Sequence, residues 1–307
     1  KALYLQSLEY EQAVTTSLIA NVANMYYTLL MLDAQYNVSA ETAAKWRESV
    51  KTMRAMKAAG MTDEAGVAQT EANCYMVEAL LDLKQQIREV ENSLSILLGD
   101  VPDAIERGKL QGQSFPEELT VGVPLQLLSR RPDVKSAELS LAQAFYSTNA
   151  ARSAFYPSIT LGGTAGWTGS MIINPGKLLL SAVGSLTQPL FNKGLNMAQL
   201  KIAKAQQEEA KLSFQQALLN AGSEVNNALT QVQVARGKTE LRDGQITSLE
   251  TAVRSTQLLM KHGNSTYLEV LTAQQSLLSA QLTQIADRFD EIQGIINLYQ
   301  ALGGGRE

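Results

Sequence analysis

A mainly α fold is predicted, with long antiparallel coiled-coil hairpins in an internal two-fold repeat and one small β-hairpin between them. Three observations carry it. All seven prolines of the 307-residue chain, Pro102, Pro116, Pro124, Pro132, Pro157, Pro175 and Pro189, fall in one central stretch, and proline breaks helix interiors through ring clash and a missing donor. Both flanks carry apolar residues at alternating spacings of three and four, the pattern of a coiled-coil seam. The flanks also repeat each other: Val22 and Val225, Asn24 and Asn227, Gly60 and Gly263, and Val67 and Val270 share one offset (263 − 60 = 203). An internal repeat of this extent sets the fold before local signals do.

In chain order, residues 1–101 form the first helical hairpin, with its tip at Gly60, Met61 and Thr62. Its returning helix runs along the seam Met76, Leu80, Leu83, Ile87, Val90, Leu94 and Leu97, and Gly99 suits the C-cap. Residues 102–153 are a proline-bearing connection and a helix leading to the strands, with Pro132 fit for the first helical turn and Asp133 for the positive end of the dipole. Within 154–191, the runs Ser158 to Trp167 and Leu179 to Gln188 have about the length a barrel strand needs to cross a bilayer at a tilt, and the first partly alternates. Trp167 suits an interfacial aromatic belt or, equally, the cap of a soluble sheet.

Residues 192–307 form the second hairpin, with its tip at Gly263, Asn264 and Ser265. A helix from about Leu195 to about His262 would be on the order of 100 Å long. Ile246, Leu249, Val253, Thr256 and Met260 mark its seam; Leu268, Leu271, Gln275, Leu278, Leu282, Ile285, Phe289, Ile292, Ile296 and Tyr299 mark the returning one. Rods of this kind must pack against copies of themselves or other subunits. Polar pairs such as Gln206-Gln207, Gln215-Gln216 and Asn226-Asn227 fit either a water-filled assembly or an ordinary solvated face.

Composition narrows the function. The net charge is −4, and the 26 basic and 30 acidic residues read as dispersed, which offers nucleic acid no basic face. Aromatic residues make up 6 %, which suits thin helical seams better than a thick globular core. The single Cys74 excludes an internal disulfide, and the single His262 excludes a multi-histidine metal site within the chain. No cofactor is indicated, and the Asp and Glu residues are scattered without a catalytic constellation, so no enzyme is expected. The opening Lys1-Ala2-Leu3-Tyr4 shows no secretory signal. No apolar run approaches the ~20 residues of a transmembrane helix, which leaves β-strands as the route across a membrane.

Two linked motifs carry a family resemblance. Leu127-Leu128-Ser129-Arg130-Arg131-Pro132-Asp133-Val134, followed by Ala137-Glu138 and Ala154-Phe155-Tyr156-Pro157-Ser158-Ile159-Thr160-Leu161, closely resembles the signature of the outer-membrane efflux family, the TolC-type channels. Gln188-Pro189-Leu190-Phe191-Asn192-Lys193-Gly194 resembles the family's turn from strand into its longest helix. Within the family the chain is similar to the lipoprotein branch serving resistance-nodulation-division pumps.

The resemblance implies a homotrimer in the Gram-negative outer membrane with a periplasmic extension. Each protomer would give four strands to a 12-stranded barrel in outer-membrane lipid, and helices to a long α-barrel. The tips would dock on a periplasmic adaptor protein and an inner-membrane pump, which supplies the energy, since nothing resembles a nucleotide-binding loop. Adaptor docking would fall on Gly60, Met61, Thr62, Gly263, Asn264 and Ser265. Glu269 falls where a family member carries a constricting, cation-binding carboxylate, and Thr272 where some carry a second; a ring of three Glu269 carboxylates would favour cations. Glu269 also suits a plain helix N-terminus. For Arg130, Arg131 and Asp133 a structural role is expected.

The alternative is a periplasmic coiled-coil adaptor or tether without its own pore, although adaptors carry one helical hairpin among β-rich domains. Subtracting the 203-residue offset places the counterparts of Ser158 to Leu190 ahead of residue 1, so a preceding strand pair is expected. Two strands per protomer would make only six in a trimer, fewer than the eight of a small barrel. Helical hairpins without a closed barrel are therefore expected of this chain alone.

Overall fold

The computed structural model describes residues 2–78, 80–113, 115, 130–168, 177–188, 193–262 and 266–305. Its helices are α1 (Ala2–Ala58), α2 (Glu64–Glu78), α3 (Leu81–Leu98), α4 (Pro132–Ser153), α5 (Leu195–Lys261) and α6 (Tyr267–Ala301). Strands β1 (Ser158–Thr168) and β2 (Lys177–Thr187) lie between α4 and α5. The chain divides into two compact units, one of Lys1–Glu11 and Pro132–Asn220, the other of Gln12–Arg131 and Ala221–Glu307.

The repeat reappears in the element boundaries. α1 ends at Ala58 and α5 at Lys261, α2 begins at Glu64 and α6 at Tyr267, and α3 ends at Leu98 and α6 at Ala301. Each pair differs by the same offset (261 − 58 = 203). The halves differ in one respect: the returning arm of the first hairpin is split into α2 and α3, whereas α6 is one helix of 35 residues. Met76, expected on the first seam, is exposed close to that break. In the second hairpin Leu268 and Tyr299, in the first and last turns of α6, are also exposed, as is the polar Gln275.

In the unit holding the strands, Pro132 opens α4 as expected, and the Val134 N–H donates to Asp133 Oδ1 at 2.8 Å. α4 runs antiparallel to the start of α5. Asn196 Nδ2 donates to the Ala154 carbonyl at 3.2 Å, and the buried Thr148 hydroxyl donates to the Ala203 carbonyl at 3.1 Å. Gln6 on α1 donates to the Ser136 and Ser140 hydroxyls at 3.0 and 3.2 Å.

The other unit buries two apolar clusters. Ala20, Leu30, Leu110, Ile285, Ile292 and Ile296 form one, and Trp46, Cys74 and Leu271 form the second. Gly294 lets α6 approach α5 closely: a Cβ there would lie 2.8 Å from Val232 Cγ2 and 3.2 Å from the Val232 backbone nitrogen. Buried carboxylates join the helices. Glu91 pairs with Arg88 and Arg107 at 3.0 and 2.6 Å, Glu291 with Arg236 at 2.9 Å and with Arg288, and Asp287 with Arg242 at 2.9 Å.

The segment after α3 is fastened to these helices. Arg107 also bonds Asp33 through Nη2 at 3.0 Å, Leu110 enters the core, and Arg288 donates to the Gln113 carbonyl. The Asp33 bond, with Glu91 beside it, raises the Arg107 pKa further, which keeps the guanidinium charged at every working pH. Arg131 has the structural role expected of it. It is buried, donates to the last-turn carbonyl of Ala301 at 2.9 Å and pairs with Glu224 at 2.6 Å, which satisfies a helix C-terminus from outside the helix.

Candidate functional site

The strand pair has two chemically different faces. β1 and β2 pair antiparallel in one unbroken register of 11 residues each, from Ser158 opposite Thr187 to Thr168 opposite Lys177. Opposed residues share a face, so Ile159, Leu161, Gly163 and Ala165 lie with Leu186, Gly184, Ala182 and Leu180. That face is wholly apolar, and Leu161 is 83 % and Leu180 73 % exposed. The opposite face carries Ser158, Thr160, Gly162 and Thr164 against Thr187, Ser185, Val183 and Ser181. There the Thr164 and Ser181 hydroxyls meet at 2.5 Å.

Eleven residues extend about 37 Å at ~3.4 Å each, and a tilt of about 45° reduces this to ~26 Å, close to the ~25 Å apolar band of an outer-membrane barrel. Trp167 lies at the far end of β1, opposite Leu178. Phe155 and the 72 %-exposed Tyr156 stand just before β1 at the near end. Aromatic residues therefore stand at both ends of β1 in sequence. Sequence reasoning missed the near pair because they occurred inside a family motif and were read only as part of it.

The first tip is a tight helix end. Gly60 has φ +72° and donates to the Lys57 carbonyl at 2.9 Å, while the Met61 N–H donates to the Met56 carbonyl at 2.9 Å. This is a Schellman turn, whose left-handed position strains any residue with a Cβ. Met61 projects into solvent, and Thr62 borders α2. Gly263, Asn264 and Ser265 lie outside the described residues.

Beyond the second tip, Thr266 is the N-cap of α6 and Glu269 its third residue. The Thr266 hydroxyl donates to Glu269 Oε1 at 3.2 Å, and the Glu269 N–H donates to the Thr266 carbonyl at 3.2 Å. The Thr-x-x-Glu spacing matches a capping box, but here the Thr266 side chain bonds the Glu269 carboxylate and makes no cap bond to a backbone N–H. Glu269 is exposed, and so is Thr272, whose hydroxyl bonds the Leu268 carbonyl at 2.9 Å. Tyr267 packs beside Trp46 and Leu271, where burial raises its phenol pKa.

No helix among the described residues is long and apolar enough to cross a membrane. Two-faced strands of membrane-spanning length, carried on helices of 22 and 67 residues, instead define the class of outer-membrane proteins that join β-strands to long helical hairpins. The chain matches the outer membrane efflux protein family over residues 1–100 and 123–304 and belongs to it.

The cation efflux system protein CusC of Escherichia coli is 29 % identical over 98 % of this chain and 67 % of its own length. A crystal structure of CusC superposes with a TM-score of 0.91 at 28 % identity, covering 99 % of this chain and 72 % of that one. The toluene efflux pump outer membrane protein TtgC of Pseudomonas putida is 30 % identical over 98 % of this chain and 63 % of its own length. The chain thus spans about two thirds of these relatives. It is an efflux component of the Gram-negative outer membrane with a periplasmic helical extension, and its relatives are channels, not enzymes.

Proposed function

We propose that three copies of the full-length protein form a passive duct across the outer membrane and periplasm. In this reading residues 154–191 face lipid and lumen as part of the barrel, and residues 1–101 and 192–307 form the helical walls. The tips at 60–62 and 263–265 meet a periplasmic adaptor and, through it, an inner-membrane pump. Glu269 and Thr272 border the entrance, where three carboxylates would attract cations. The observation that carries the proposal is the register of β1 and β2, which puts only apolar residues on one face from Ile159 to Ala165 and gathers the hydroxyls, together with Val183, on the other. A coiled-coil tether would have no use for such a pair.

The cargo class follows from the pump in this reading, since the duct supplies only a wet path; CusC is a cation efflux protein and TtgC a toluene efflux protein. The test is complementation of a strain lacking its own outer-membrane efflux channel. The full-length protein should restore export only together with its adaptor and pump, and should be recovered from the outer membrane as a trimer. Export restored without the adaptor, or a monomer recovered from the periplasm, would refute the proposal.

A further inference from the structure

The acidic residues of this chain are not evenly dispersed, contrary to the reading from overall charge. Between Leu139 and Gln207 there is no Asp or Glu at all, and every charged residue is basic: Arg152, Lys177, Lys193, Lys201 and Lys204. Outside this stretch acids outnumber bases, as a net charge of −4 for the whole chain requires.

The fold gathers four of these cations at the root of the strand pair. Arg152 is in the last turn of α4, Lys193 lies just before α5, and Lys201 and Lys204 lie in its first three turns. The Asn196–Ala154 and Thr148–Ala203 hydrogen bonds hold the two helices in one antiparallel register, which sets Arg152 near the level of residue 199. All four cations are exposed. Among the described residues none of them has an acidic side chain within 4 Å, and Arg152 bonds only the neutral Asn149, at 3.3 Å. Around them Phe155, Tyr156, Leu195 and Met197 are exposed apolar groups. Further along the same helix the pattern reverts to ordinary pairing, with Lys211 on Glu208 at 2.9 Å.

We propose that this cationic and aromatic collar binds the anionic headgroups of phospholipids in the periplasmic leaflet of the outer membrane, fixing the depth of the barrel. The inference rests on the membrane reading of the strand pair. Rings at the headgroup level and cations free to reach lipid phosphate are complementary to that surface. The absence of carboxylates over the whole stretch removes the repulsion that would oppose it. Each cation near an anionic lipid surface strengthens binding about fivefold.

The test titrates the full-length protein in detergent with fluorescent phosphatidylglycerol. Competitors are phosphatidylcholine, lipopolysaccharide and inorganic phosphate. The wild type should prefer phosphatidylglycerol over phosphatidylcholine by at least about tenfold, and the Arg152→Gln/Lys193→Gln/Lys201→Gln variant, with unchanged helix content, should lose that preference. Equal affinity for both phospholipids in the wild type would overturn the inference, as would a preference unchanged in the variant. Stronger displacement by lipopolysaccharide would overturn the leaflet assignment, and displacement by inorganic phosphate as effective as by lipid would make the collar a phosphate site. Loss of the oligomer with unchanged lipid preference would assign the cations to a subunit interface and overturn the inference too. Bilayer conductance of the wild type is recorded alongside: a conducting protein without lipid preference defeats only this inference, whereas a non-conducting one defeats the channel proposal itself.

Discussion

Ser181 and Ala182 are neighbours in β2 with opposite fates in a membrane. Ala182 pairs with Gly163 at the middle of the 11-residue register, on the apolar face; Ser181 pairs with Thr164 on the hydroxyl face. An arginine on the lipid face at the bilayer midplane costs about 2–4 kcal/mol, whereas lumen-facing positions tolerate charge. Ala182→Arg should therefore lower the folded population of the full-length protein by ~30-fold or more, at ~1.4 kcal/mol per tenfold. Ser181→Arg should assemble normally and change only conductance and ion selectivity. Outer-membrane recovery and urea titration of protein refolded into lipid vesicles measure both. Equal loss in the two variants would refute the assignment of faces, and a larger loss for Ser181→Arg would reverse it.

Three further predictions concern the helices. Gly294→Ala should destabilise by about 1–3 kcal/mol through overpacking against Val232, whereas Gly244→Ala, with nothing within 4 Å of its Cβ, should stabilise by up to ~1 kcal/mol through helix propensity; thermal melts of the two variants should move in opposite directions. Gly60→Ala should cost about 1–2 kcal/mol because φ is +72°, and Gly60→Asn, which tolerates that conformation better, should cost less; if the tip docks an adaptor, export should fall in both while stability separates them. Glu269→Gln keeps an oxygen acceptor for the Thr266 hydroxyl and removes the charge, so block by multivalent cations should weaken with no change in melting temperature; a lowered melting temperature with unchanged block would assign Glu269 to the helix end alone.

Much of the fold was legible because a long repeat is a redundant signal. One offset, read from pairs such as Gly60 with Gly263, also locates the ends of α1 and α5 and the starts of α2 and α6. The split between α2 and α3 was not legible, because the seam residues Leu80 and Leu83 continue the same spacing across it. The strand pair showed only partial alternation in β1, since Gly162, Gly163 and Gly166 carry no polarity of their own. The apolar face became clear when the register set Gly163 beside Ala182 and Leu161 beside Gly184. Arg131 was expected to be structural, yet its target, the Ala301 carbonyl 170 positions away, lies beyond any local pattern. The cationic collar was hidden by averaging charge over the whole chain.

The central claim, a passive aqueous duct whose wall includes this strand pair, is tested most directly by planar-bilayer recording of the full-length protein with single cysteines at positions 181 and 182. Cys74 is buried, and Cys74→Ser provides the background. Steady current is predicted without nucleotide or pump. A bulky water-soluble maleimide should reduce that current for Ser181→Cys and leave it unchanged for Ala182→Cys. No conductance, or current reduced through Ala182→Cys alone, would contradict the account.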